Sequence, residues 1–431
     1  MIPDLRGGTW VRALLALGLA HPALAQEAEG FVELRAHASL GVDGVPVQVV
    51  ERVRPTLSAE LSDRVVLSTT VELGLSQGRT MQAELQRTLE DSDLGPLMDA
   101  MGCTWPVEDN ELLGISRSGD YLSVERLVLD AYLPWADLRL GRQAVNWGSA
   151  FMVNPTDPFP EVLLVEPWKP RSGVNALRAT VPVADHQLQA VLGTNDTVTK
   201  LRAAGRATLR LGLTDLSLVG AYRQEAEDGL IGLDVRGTLG VGFWLEGAVH
   251  LREEPYEELA VGVDYSFPVL ETLVVTGQYY RNGAGSPTWD PAATTSGLGE
   301  AIEPPDCGEA ELFGPTEDPD PFAPFFSGRD YAMLSLALGI SRDVSVTALW
   351  VQNLNDGSGL AVPVVVVYPT GWLEVSAAAQ VPLSLWGDGG ELHPADDDLV
   401  LSMDGGAEPL EVDLSGLVPD ATFILWTRFD F

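Results

Sequence analysis

From residue 30 onward, apolar and polar side chains alternate in runs of about ten residues. Val32, Leu34, Ala36, Ala38 and Leu40 fall on one side of a strand, with Glu33, Arg35 and His37 on the other. Phe243, Leu245, Gly247, Val249 and Leu251 oppose Glu246, His250 and Arg252 in the same way. Leu373, Val375, Ala377, Ala379 and Val381 oppose Glu374, Ser376 and Gln380. A soluble sandwich also alternates, but its strands are commonly shorter and its two sheets share one apolar core. One apolar face against one charged face over this length is what a sheet with lipid outside and water inside requires. In hydrocarbon every backbone N–H and C=O must be paired, so such strands persist only in a closed sheet. The pattern predicts an all-β fold, a transmembrane antiparallel β-barrel.

Strands are expected at 30–40, 49–61, 64–75, 121–133, 137–147, 173–183, 187–195, 200–211 and 215–225. They continue at 229–239, 241–252, 257–267, 271–282, 329–341, 343–354, 359–369, 371–381 and 421–431. That makes about 18 strands within a range of 14–18, and an even number is usual for bacterial single-chain barrels. Short turns such as Leu61-Ser62-Asp63, Pro134-Trp135-Ala136 and Leu213-Thr214-Asp215 follow even-numbered strands, and the long segments 76–120, 148–172, 283–328 and 382–420 follow odd-numbered ones. With both ends periplasmic, every long loop falls outside.

The chain's ends agree with this. Residues 1–25 read as a secretory signal, with Arg6 and Arg12, the apolar core 13–20 and a small-x-small site at Ala23-Leu24-Ala25; a signal anchor is the weaker alternative. The barrel then occupies 26–431. Phe423, Leu425, Thr427, Phe429 and Phe431 share one face of the last strand, and a terminal aromatic there resembles the signal read by barrel-assembly machinery. Together these features place the chain in a bacterial outer membrane, among its lipids.

Charge changes the picture in one respect. With 62 acidic against 26 basic residues, the formal net charge is −36, which excludes nucleic acid as a partner. Much of the acid lies in two long loops: Glu300, Glu303, Asp306, Glu309, Glu311, Glu317, Asp318 and Asp320, then Asp388, Glu391 and Asp396 through Asp413. Outside the membrane these carboxylates stay hydrated, and they either serve solubility or attract divalent cations. Cys103 and Cys307 both fall in outer loops of an exported chain, so they are a disulfide candidate, with free thiols the alternative.

Arg126, Asp130, Arg139, Gln143, Arg178, Arg202, Arg206, Arg210, Arg236 and Glu246 take the polar parity and are the candidate pore-lining residues. Arginine rings line anion-conducting pores, and the same arginines can equally pair across strands with Asp130, Asp234, Glu246 and Asp264. Pairing Asp130 with Arg139 would also oppose Arg126 to Gln143 and Leu129 to Leu140, and it turns Arg142 outward unless a bulge at Gly141 or a rim position intervenes.

Gly141-Arg142-Gln143, Asn146-Trp147-Gly148 and Asn154-Pro155-Thr156-Asp157-Pro158-Phe159 resemble a motif of porin-like barrels of Gram-negative outer membranes, distantly similar to polysaccharide-export porins. The resemblance covers this stretch alone and implies passive transport. The two X-Pro steps favour turns, so this loop either folds inward as a constriction or is an ordinary outer loop stiffened by proline. The histidines are scattered, with no metal-ligand spacing and no nucleophile elbow, so neither enzyme activity nor a cofactor or metal is expected; a wall Ser/His hydrolase is the remote alternative. The expected function is a pore for small, anionic solutes. Its rival is a barrel plugged by its loops, with the helical-looking segment 80–101 as the plug, acting as a structural or adhesive surface protein.

Overall fold

A computed structural model gives the fold; the description covers residues 27–41, 46–78, 121–160, 170–194, 201–224, 228–289, 326–387, 389–393, 400–403, 410–413 and 419–431. Eighteen antiparallel strands form one closed wall. In chain order they are β1 (Glu27–Leu40), β2 (Val47–Ser62), β3 (Val65–Gly78), β4 (Tyr121–Tyr132), β5 (Asp137–Gln143) and β6 (Val174–Val183). Next come β7 (His186–Thr194), β8 (Leu201–Leu211), β9 (Thr214–Arg223), β10 (Asp228–Thr238), β11 (Gly242–Leu251) and β12 (Tyr256–Phe267). The wall is completed by β13 (Thr272–Asn282), β14 (Asp330–Ser341), β15 (Val344–Asn353), β16 (Ser358–Thr370), β17 (Leu373–Ser384) and β20 (Ala421–Asp430). Between the last two, β18 (Val400–Met403) and β19 (Leu410–Asp413) make a separate hairpin.

Each expected strand has its counterpart in the wall. Consecutive wall strands pair, and β20 closes the ring between β17 and β1. At the seam the Gly30 N–H donates to the Phe431 carbonyl at 3.0 Å, and the Phe431 N–H returns to Gly30 at 2.9 Å. Closure leaves no edge strand in the wall, as a bilayer demands. Outward residues such as Leu34, Leu140, Leu192, Ile231 and Leu425 remain exposed, which is the lipid-facing belt. Trp135, Trp372 and Phe431 are exposed at the short-turn end, and Tyr222 and Tyr279 at the long-loop end, where aromatic girdles sit.

The β4–β5 hairpin takes the expected register, Asp130 opposite Arg139 and Leu129 opposite Leu140. The bulge offered at Gly141 does not form: the register runs unbroken through it, opposite Val128 and Ala176, although its φ of +119 is a conformation open to glycine. Arg142 is only half-buried opposite Leu127, but its stem lies along the chain entering β6: a Cβ built on Gly173 would meet Arg142 Cγ at 2.8 Å. One boundary is corrected. The strand expected over 137–147 ends at Gln143, because Trp147 leaves the wall for an apolar cluster inside the barrel. The signal segment, Cys103 and Cys307, segment 80–101 and the 300–320 acidic cluster lie outside the described residues.

Candidate functional site

The connection from β5 to β6 folds into the barrel. Its organiser is Glu246, fully buried on the inner face of β11. The carboxylate accepts the N–H groups of Ser149 at 3.0 Å, Ala150 at 3.1 Å and Thr156 at 2.8 Å, and the Thr156 hydroxyl at 2.8 Å. Asp234, opposite it on β10, accepts the Ser149 hydroxyl. Backbone N–H groups converging on one anion make a nest, here with the anion supplied by the wall. Gly148 permits the approach: it has φ +91, and a Cβ there would stand 2.5 Å from Glu246 Oε1. Further on, the Phe151 N–H donates to Gln278 on β13 at 2.6 Å. At the returning end Arg171 donates to Asp157 at 2.6 Å and to the Val145 carbonyl at 3.0 Å, while Arg126 donates to the Arg171 carbonyl.

Around these polar anchors the wall beneath the loop is apolar. Val145, Trp147 and Phe159 pack with Ala176, Val191, Val219, Leu230 and Ala248. Ala150, Met152 and Val153 pack on a cluster containing Ala260, Tyr280, Tyr331 and Val351. Phe151 reaches a third cluster, of Leu349, Val362, Ile424 and Trp426, so the loop crosses the lumen. This corrects the expectation of a uniformly polar interior: where a loop covers the inner face, burial favours apolar side chains over water-facing ones.

The side formed by β1, β2 and β3 is charged. Glu33 holds Arg35 at 2.7 Å and Arg52 at 3.3 Å; Glu72 holds Arg54 at 3.0 Å and Arg52 at 3.8 Å. The Arg35 guanidinium also lies 5.6 Å from the Trp426 ring. A cavity of about 440 Å³ opens here, bounded by Arg52, Arg54, Glu72, Ser123, Glu125 and Ser172. Sequence reasoning placed Arg35 on the polar parity but did not count these residues as lining. The available signal was Arg52 and Arg54 sharing a parity within one strand.

The expected lining residues fall into three situations. Glu246, Arg126 and Arg202 touch the loop, with Arg202 5.3 Å over the Phe159 ring, and Gln143 is buried at the end of β5, where it donates to the Ala176 carbonyl of β6 at 2.9 Å. Three arginines are paired across strands: Arg139 with Asp130 at 2.6 Å, Arg206 with Asp234 at 2.7 Å, and Arg210 with Asp215 at 3.0 Å. Asp215 was not among the expected partners, and Glu246 bonds the loop instead of an arginine. Arg178 and Arg236 have no hydrogen-bond or ion-pair partner among the described residues; Arg178 stands opposite Arg139 across β5 and β6. Glu391, expected as a hydrated loop acid, is instead bonded at the outer rim: it accepts from Ser327 N–H at 2.6 Å, Asn353 Nδ2 at 2.9 Å and the Tyr331 hydroxyl. No cluster of three or more metal-ligating side chains occurs among the described residues.

No family model matches the chain, and no curated protein sequence matches it. The similarity lies in the fold. Pseudomonas aeruginosa OccK5 (OpdH) aligns with TM-score 0.52 and 10% identity over 95% of this chain and 99% of that one. OccK11 (OpdR) of the same organism gives 0.51 and 8% over 95% and 97%, and Acinetobacter baumannii OccAB3 gives 0.50 and 9% over 94% and 98%. These are porins of Gram-negative outer membranes; they carry nothing about polysaccharide export. The chain has the closed eighteen-stranded barrel fold of outer-membrane porins.

Proposed function

We propose that this protein is an outer-membrane channel for passive diffusion of small polar solutes, with a bias toward anions. The observation that carries the reading is the division of the lumen. The inward loop seals its apolar clusters, while Arg52, Arg54 and Glu72 of the charged wall border an open cavity, with Glu33 and Arg35 buried behind them. A fixed cation offsets the dehydration of a passing anion. Arg178 and Arg236, which make no hydrogen bond or close ion pair among the described residues, supply that bias more directly than the ion-paired arginines do. The acidic outer loops would gather cations at the mouth. OccK2 (OpdF), similar in fold at TM-score 0.50 and 10% identity, was solved in complex with glucuronate, and a carboxylate of that kind suits these guanidiniums.

Because the loop fills part of the lumen, the plugged surface barrel remains the second reading. Single-channel recording of the refolded protein in a planar bilayer separates the two. The channel reading expects discrete steps and an anion-selective reversal potential under a salt gradient, with selectivity lowered in Arg236→Ala. A silent, folded barrel overturns it in favour of the plug.

A further inference from the structure

Glu246 is an unusual wall residue. A carboxylate on the inner face of a water-filled channel has bulk water as its natural partner, yet this one is enclosed and saturated by four hydrogens from a loop. Three of those donors are backbone N–H groups, which only proline would remove and which find no other acceptor while folded against β10 and β11. The seat is shaped on both sides. Gly148 brings the turn up to the carboxylate, and on β10 the missing side chain of Gly232 receives the Thr156 methyl: a Cβ there would stand 2.6 Å from Thr156 Cγ2.

Building on the channel reading, we propose that Glu246 is a positioning residue: its carboxylate fixes the inward loop against the β10–β11 wall and thereby sets the width of the passage left beside β1–β3. It touches no solute and acts through Ser149, Ala150 and Thr156. The Coulombic part of the anchor makes an isosteric amide a poor substitute. In Glu246→Gln one oxygen still accepts from Thr156, but the amide nitrogen presents hydrogens to the N–H groups of Ser149 and Ala150, donor against donor. Glu246→Asp keeps both acceptors, one methylene short.

Two measurements on the full chain test this. In planar bilayers Glu246→Ala and Glu246→Gln should raise single-channel conductance by about twofold or more and add open-state noise, with Glu246→Asp close to the parent. Gly232→Ala should do the same from the neighbouring strand while leaving the carboxylate in place. Independently of conduction, Met152→Cys in a background with Cys103→Ser and Cys307→Ser reports the loop's exposure to a water-soluble maleimide. Its labelling rate should rise about tenfold in Glu246→Ala, because the loop opens more often. A conducting parent whose conductance and labelling are both unchanged by Glu246→Ala and Gly232→Ala overturns the proposal. A silent parent with accelerated labelling supports the anchor and removes the channel reading instead.

Discussion

The two sides of this lumen are written in the same alternating code and end as different materials. Under the loop, β9–β15 turn Val219, Leu230, Ala248, Ala260 and Val351 inward, and all are buried. Across from it, β1–β3 turn Glu33, Arg35, Arg52, Arg54 and Glu72 inward, and these pair among themselves. The outer face is constrained everywhere by lipid, so its parity is apolar all round. The inner face is constrained only by what covers it. An apolar inner face therefore marks where the loop lies, interrupted by Asp234 and Glu246 where the loop bonds them. The charged face, itself buried by its own ion pairs, adjoins a cavity of about 440 Å³ at Arg52, Arg54 and Glu72.

That contrast breaks most visibly at Trp147. The indole is 2% exposed among Val191, Val219 and Leu230. If the covered side is a true core, Trp147→Ala should cost about 3–5 kcal/mol, the usual range for emptying a packed aromatic site. Urea unfolding in lipid vesicles reads this, and an unchanged midpoint would show that the covered side is wet and the contrast false.

Arg52→Ala should act on the other side with a smaller cost. Its acceptors keep closer cations, Arg35 on Glu33 and Arg54 on Glu72, so about 1–2 kcal/mol of stability is at stake. The larger consequence is electrical, since removing one cation from a cluster of three arginines and two glutamates cancels its excess positive charge and shifts the reversal potential toward cations. No shift in that potential would mean that the passage does not run along β1–β3.

How much of this was legible follows from which constraints are local. Strand number and the Asp130–Arg139 register were readable because lipid enforces period-2 alternation along every strand. Inward folding of the β5–β6 loop was readable only as one of two options, since Asn154-Pro155 and Asp157-Pro158 announce turns and not their direction. What decided the direction, Glu246 on β11, lies about a hundred residues further along the chain and looks like any other polar-parity acid. Arg206 and Arg210 show the same limit. Their parity is evident and Asp234 was among the acids expected to pair, but which arginine takes it, and that Arg210 takes Asp215, depends on cross-strand register. The apolar inner residues gave a weak signal because Val219 and Leu230 sit in strands already rich in apolar side chains.

The mildest test concerns Arg178, where the two contributions separate. It stands opposite Arg139, which Asp130 already holds at 2.6 Å. An arginine kept for stability would not stand against a like charge without a partner of its own. Like charges directly opposed across strands are destabilising by about 0.2–1 kcal/mol, so Arg178→Ala should leave the unfolding midpoint unchanged or slightly higher. It should still reduce anion preference in the reversal potential, by less than Arg52→Ala does. A variant that loses stability and keeps its selectivity would assign Arg178 to the wall, and the anion bias would then rest on Arg236 and the β1–β3 cluster.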